Sequence, residues 1–226
     1  MFIVTDILSL LPSWSSAAAE PPEVGQKAPN VEKLTFPLDP AHPVLLYFPR
    51  HCGCPYPERD LNNLVTLLLS SPPIANSDFQ IIVLPHANSE HEATRWLDAV
   101  LNSSFQRFEK SFSGDEKHLE ETWNTVVRPK FALLPDTDRS IAKSYGLGNL
   151  PSFTSLLGKG GLTELSRLRS QGIVNRRTAP GSDRWAAHGS CWVDAEGIVR
   201  YYEKGEEAHM ECNWKAGLYA LGFNTT

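Results

Sequence analysis

Two cysteines stand one residue apart in Pro49-Arg50-His51-Cys52-Gly53-Cys54-Pro55-Tyr56-Pro57-Glu58, directly after the apolar run Val44-Leu45-Leu46-Tyr47-Phe48. A strand that ends in a thiol-bearing turn and then opens a helix can make a reactive cysteine. The helix start supplies positive partial charge and Arg50 adds a full one. Both favour the thiolate, which is the nucleophile. Cys54, at the junction itself, is the leading catalytic candidate, with a pKa expected below that of an ordinary thiol. Arg50 is its electrostatic partner, able to hold a thiolate, an oxyanion or a peroxide. Cys52 is either a second reactive thiol or a small residue tolerated in the turn. His51 can act as acid or base near neutral pH. His86 follows the apolar run 79–84, and ligands of open α/β sheets bind beyond the carboxyl ends of strands. That places His86 near Cys54. Cys191 and Cys212 read as packing thiols, and Cys212 can meet Cys54 only if the last helix folds back over the turn.

His188-x-x-Cys191 and His209-x-x-Cys212 have ligand-like spacing. Positions three apart on a strand face opposite sides, however, so no metal is expected. The aromatic residues Trp185, Trp192, Tyr201, Tyr202 and Trp214 are core candidates. Any that line the cleft, Trp185 first among them, would favour a bulky apolar substrate over hydrogen peroxide.

These residues need a scaffold, and the rest of the chain supplies one. Its 226 residues fit one large domain, and an apolar fraction of 41% is enough for a core. A net charge of -5 with scattered Lys and Arg gives no footprint for nucleic acid. Four cysteines in this length do not form a secreted disulfide framework, which points to a reducing, cytoplasmic setting. Residues 2–11 are apolar but lack a basic flank, are broken by Asp6 and are too short to span a bilayer. They are expected to form a short amphipathic helix on the domain or on a partner chain. Residues 1–30 read as this segment and a linker, and 31–226 as the domain.

Short apolar runs at 43–48, 79–84 and 130–134 alternate with helical patterns at 58–69, 90–101 and 138–145, so the first part is α/β with parallel strands. Strands at 188–194 and 197–203, joined through Ala195-Glu196-Gly197, then form a hairpin. A helix over 212–221 closes the chain. Residues 102–128 are polar and partly helical. Residues 150–182 are expected to be a helix between mobile loops.

This layout resembles the thioredoxin fold and, more narrowly, the peroxiredoxin-like proteins of the AhpC/TSA family. The branch motif F-x-R-x-x-G-C-P-x-C reads here Phe48-Pro49-Arg50-His51-Cys52-Gly53-Cys54-Pro55-Tyr56-Pro57. Further matching segments are Leu134-Pro135-Asp136-Thr137-Asp138-Arg139, Ala142 to Gly148, and Ser182-Asp183-Arg184-Trp185 leading to Gly189-Ser190-Cys191-Trp192-Val193-Asp194. The resemblance implies a central mixed sheet flanked by helices, a peroxidatic or otherwise redox-active Cys54, an arginine brought in from late in the chain (Arg184), no bound cofactor, and a homodimer. The second cysteine of the motif is replaced by Pro57, so an external thiol such as glutathione or thioredoxin must complete a redox cycle. Cys54-Pro55-Tyr56-Pro57 is also similar to the C-P-Y-C turn of glutaredoxins, which implicates Pro55 and Tyr56 in binding a thiol substrate. Two functions are consistent with this. One is a thiol-dependent oxidoreductase acting on a peroxide or disulfide. The other is a non-redox isomerase, cyclase or lyase acting on a small metabolite, since some fungal relatives lie among biosynthetic genes.

Overall fold

The computed structural model describes residues 17–38, 40–175 and 183–223. Five strands form one sheet: β1 (Val44–Phe48), β2 (Gln80–Val83), β3 (Phe131–Leu133), β4 (Gly189–Val193) and β5 (Val199–Lys204). Their order is β3-β2-β1-β4-β5. The first three are parallel, with Leu46 opposite Ile82 and Ile82 opposite Ala132. β4 runs antiparallel to β1, and β5 antiparallel to β4. Every residue of β1 is buried, because the strand has neighbours on both edges and packing on both faces. Alternation divides the core in two. Leu45 and Tyr47 join Ile81, Val83 and Trp192 on one face, while Leu46 and Phe48 join Ile82, Cys191 and Val193 on the other.

Eight α-helices are described: α1 (Pro55–Ser70), α2 (Pro72–Ala75), α3 (Glu90–Glu109), α4 (Glu116–Thr122), α5 (Ser140–Ser144), α6 (Phe153–Leu157), α7 (Lys159–Ser170) and α8 (Trp214–Ala220). α1 starts three residues before the expected Glu58. Pro55 takes the first helical position, where its missing N–H is no loss. Leu61, Leu64, Val65 and Leu68 are fully buried against the sheet, each contributing about 1.5–3 kcal/mol by leaving water. α3 runs eight residues past the expected end at 101. It is capped by Ser89, whose hydroxyl accepts the Glu92 N–H at 3.2 Å. At α5 two carboxylates act as caps: Asp136 accepts the N–H groups of Ile141 and Ala142, and Asp138 that of Ser140.

Gly217 of α8 lies against the Trp192 indole, and a β-carbon there would stand 2.0 Å from Nε1. Only glycine allows α8 that close to β4. Residues 25–28 pair with the start of β5 through Gly25 N–H to Val199 O (2.8 Å) and Ala28 N–H to Gly197 O (2.9 Å). The stretch 150–182 contains two helices, α6 and α7, where one was expected. Residues 176–182, and the helix expected at 2–11, lie outside the described residues. The sheet of three parallel strands extended by an antiparallel hairpin, with helices on its faces and a cysteine turn after β1, is thioredoxin-like. Among the described residues no helix is long and apolar enough to cross a membrane.

Candidate active site at the start of helix α1

Between β1 and α1 the chain turns through Gly53, whose φ of 95° lies in the left-handed region open to glycine. The turn is pinned by Cys52 N–H to His86 O (3.4 Å) and Cys54 N–H to His51 O (3.3 Å). Cys54 is the N-cap of α1 in extended conformation (φ -69°, ψ 134°). Its thiol makes no capping hydrogen bond, yet the Tyr56 backbone N–H is near enough to favour its anion. Arg50 Nη1 lies 3.7 Å from Cys54 Sγ.

That guanidinium is fixed. Its Nε donates to Ala186 O at 3.1 Å and its Nη2 to Arg184 O. Arg50 is buried, and among the described residues no carboxylate pairs with it, so its charge is left for the thiol. The expectation of a depressed Cys54 pKa nevertheless needs correction. Cys54 is 4% exposed, enclosed by Tyr56, Leu156, Leu168 and Trp185. Burial is the largest influence and pushes the thiol above its ordinary value, against the pull of Arg50 and the Tyr56 N–H.

Cys52 goes elsewhere. It packs in the cluster beneath α1 and α3, not in the one around Cys54. Burial, then the nearby Glu92, pushes its thiol up to about 12. His51 is buried, with Nδ1 3.1 Å from Cys52 O. Burial and the Arg50 charge lower it to about 3, with smaller contributions from Arg184 and His86. It is therefore neutral across physiological pH, which corrects the expectation of an acid–base group titrating near 7. His86 is beside His51, its Nδ1 3.3 Å from Asp136 O and its own carbonyl on the Cys52 N–H.

The remaining candidates surround Cys54 in different ways. Pro55 opens the helix. The Tyr56 hydroxyl donates to Gly161 O of α7 at 2.9 Å, and burial raises its pKa to about 12. Arg184 contributes its carbonyl to Arg50, and its side-chain charge reaches His51. Trp185 packs in the Cys54 cluster, whereas Trp192 and Trp214 belong to the core under α1. Cys191 is fully buried in β4, on the opposite face of the sheet from Trp192. Cys212 is buried with the α8 core, its thiol pushed up by burial first and then by the nearby carboxylates of Asp60 and Glu203. Among the described residues no three His, Cys, Asp or Glu side chains come together to hold a metal. His188 instead donates Nε2–H to Met210 O at 2.9 Å.

Three residues here had no assigned role. Arg59 donates to Asp60 (2.8 and 3.0 Å), Glu164 of α7 (3.1 Å), His209 O (2.8 Å) and Met210 O (2.9 Å). It joins the first turns of α1 to α7 and to the turn before α8. Asp60 is buried and also accepts from the Tyr47 hydroxyl at 3.1 Å. The signal was available, since Asp60 lies four residues before Leu64, on the core-facing stripe of α1. Arg139, in left-handed conformation (φ 61°), donates to Leu147 O (3.1 Å), Gly148 O (2.6 Å) and Asn149 Oδ1 (2.6 Å), and pairs with Asp183 at 2.7 Å. No local pattern announces it, because its partners come from two distant segments.

No family model matches the chain, and no curated protein matches it. Solved structures are similar to it, two of them as follows. One is reduced Prx3 of Vibrio vulnificus in complex with H2O2, at 16% identity over 88% of this chain and 98% of that one, with a TM-score of 0.48. The other is the yeast mitochondrial 1-Cys peroxiredoxin, described with a thiol-resolving mechanism via glutathione/thioredoxin systems. It is 11% identical over 80% of this chain and 66% of that one, with a TM-score of 0.39. Neither likeness decides what this chain does, and the geometry around Cys54 is the stronger guide.

Proposed function

We propose that the protein is a thiol-dependent oxidoreductase of peroxiredoxin-like type in which Cys54 is the nucleophile. The observation that supports it is the Arg50 guanidinium held 3.7 Å from Cys54 Sγ at the start of α1. The thiolate attacks the terminal oxygen of a hydroperoxide. The sulfur–oxygen bond forms as the oxygen–oxygen bond breaks, the substrate leaves as an alcohol or water after taking up the thiol proton, and Cys54 becomes a sulfenic acid. Arg50 stabilises the negative charge that develops on the departing oxygen. An external thiol then attacks the sulfenic sulfur, releasing water and leaving a mixed disulfide. A second external thiol reduces that disulfide and frees Cys54. Pro57 stands where a neighbouring resolving thiol would be, and Cys52 packs in a different cluster. Both favour an external reductant of the glutathione or thioredoxin class over an internal one. The non-redox alternative has no comparable support. His51, its nearest acid–base candidate, is held neutral by burial and Arg50.

The test is turnover of hydrogen peroxide and of an organic hydroperoxide with excess glutathione or thioredoxin. Peroxide-dependent oxidation of the reductant that vanishes in Cys54→Ser is the expected result. Absence of turnover in the wild-type chain with both reductants would overturn the proposal.

A further inference from the structure

α6 and α7 form an excursion that leaves the sheet domain after Leu150, beside the later segment 185–187. Its base is well closed. Leu150 N–H donates to Trp185 O at 2.7 Å, Ala187 N–H to Gly148 O at 2.9 Å, and Asn149 bridges Ala186. Arg139 binds both sides of that base, through Gly148 O and Asp183. The helices themselves are held to the domain more sparsely. Among the described residues, Tyr56 hydroxyl to Gly161 O (2.9 Å), Arg59 to Glu164 (3.1 Å), Arg167 to Glu211 (3.6 Å) and Ala208 N–H to Ser155 O (2.8 Å) are the polar ties. Between them, Leu156 and Leu168 press on the cluster that buries Cys54, while Phe153 and Leu162 face solvent.

We propose that α6 and α7 form a lid that decides by size which reactants reach Cys54, with Glu164 as its latch and the paired segments 148–150 and 185–187 as its hinge. The lid accounts for a thiol that is in contact with a guanidinium and yet closed off from water. Arg50 is anchored on the carbonyls of Arg184 and Ala186, at the hinge and not on the moving helices. Opening therefore exposes Cys54 and leaves its guanidinium in place. The functional meaning of the lid rests on Cys54 being the reactive thiol, but its opening is measurable with no peroxide present.

Alkylation of the full-length native protein reads that opening. Iodoacetamide serves as the small reagent and a polyethylene-glycol maleimide as the bulky one, with each cysteine quantified by peptide mass spectrometry. Cys191, fully buried in β4, is the internal control. Glu164→Gln removes the charge facing Arg59 and is expected to speed Cys54 labelling by the bulky reagent roughly five- to tenfold, with Cys191 unchanged. Arg169→Gln, an exposed change on α7 outside all of these ties, is expected to leave Cys54 labelling unchanged. Hydrogen exchange gives a second reading, in which α7 amides exchange faster than β4 amides and speed up further in Glu164→Gln. Unchanged Cys54 labelling in Glu164→Gln, Cys54 and Cys191 rising together, or α7 amides as protected as those of β4 would overturn the lid.

Discussion

Cys52 and Cys54 are separated by one glycine and are almost equally buried, at 3% and 4% exposure. The Gly53 turn sends them into different clusters, one beneath α1 and α3 and the other under α6 and α7. Burial opposes ionisation at both sites. At Cys52 the next influence, Glu92, also opposes it. At Cys54 the next two, Arg50 and the Tyr56 N–H, favour the anion. Burial alone therefore does not separate the two thiols. The sign of the charges that remain inside does.

The comparison breaks most sharply under substitution. Cys54→Ser should abolish peroxide turnover, while Cys52→Ser should retain most of it, and a steady-state assay on the two variants reads the difference. Loss of activity in both would show that the two thiols work as a pair. Arg50→Met should come next, lowering the rate constant for Cys54 oxidation by about a hundredfold through loss of charge stabilisation. The same change should leave Cys52 alkylation untouched. If the two thiols slow equally, Arg50 acts only by holding the fold.

Packing and proton linkage give smaller effects. Leu64→Ala, in the cluster under α1 that also holds Cys52, should cost about 2–5 kcal/mol in urea unfolding. His51 and His188 are lowered by burial to about 3 and about 4 from 6.5. The unfolded chain then binds protons below 6.5 that the folded one refuses. The histidine contribution is fully present above pH 6.5 and falls as the pH drops towards 4, by about 1.4 kcal/mol per pH unit for each, partly offset below pH 6 by buried Asp60, whose carboxyl is raised to about 6. Denaturant midpoints at pH 7 and pH 5 check this, and His188→Gln should flatten the dependence.

Much of the architecture was legible because it rests on local pattern. β1 is an uninterrupted buried run, α1 carries an apolar stripe at Leu61, Leu64, Val65 and Leu68, and Gly197 marks the β4–β5 turn. The contact between Arg50 and Cys54 was also legible, since they stand four positions apart in one turn. What the sequence hid depends on distant segments meeting. Cys54 has a raised rather than lowered pKa because Leu156, Leu168 and Trp185, a hundred or more positions away, exclude water from it. Arg184 matters for its carbonyl more visibly than for its charge, and a backbone atom leaves no trace in residue type. Nothing local marks Arg59, because Glu164 and the carbonyls of His209 and Met210 that bind it all lie more than a hundred positions on.

The most direct measurement is a titration of the native protein with dilute hydrogen peroxide, quenched with a sulfenic-acid trap and read cysteine by cysteine in a mass spectrometer. The account predicts trapped oxidation at Cys54, with Cys52, Cys191 and Cys212 still reduced. An unmodified Cys54, or oxidation spread evenly over all four thiols, would contradict it.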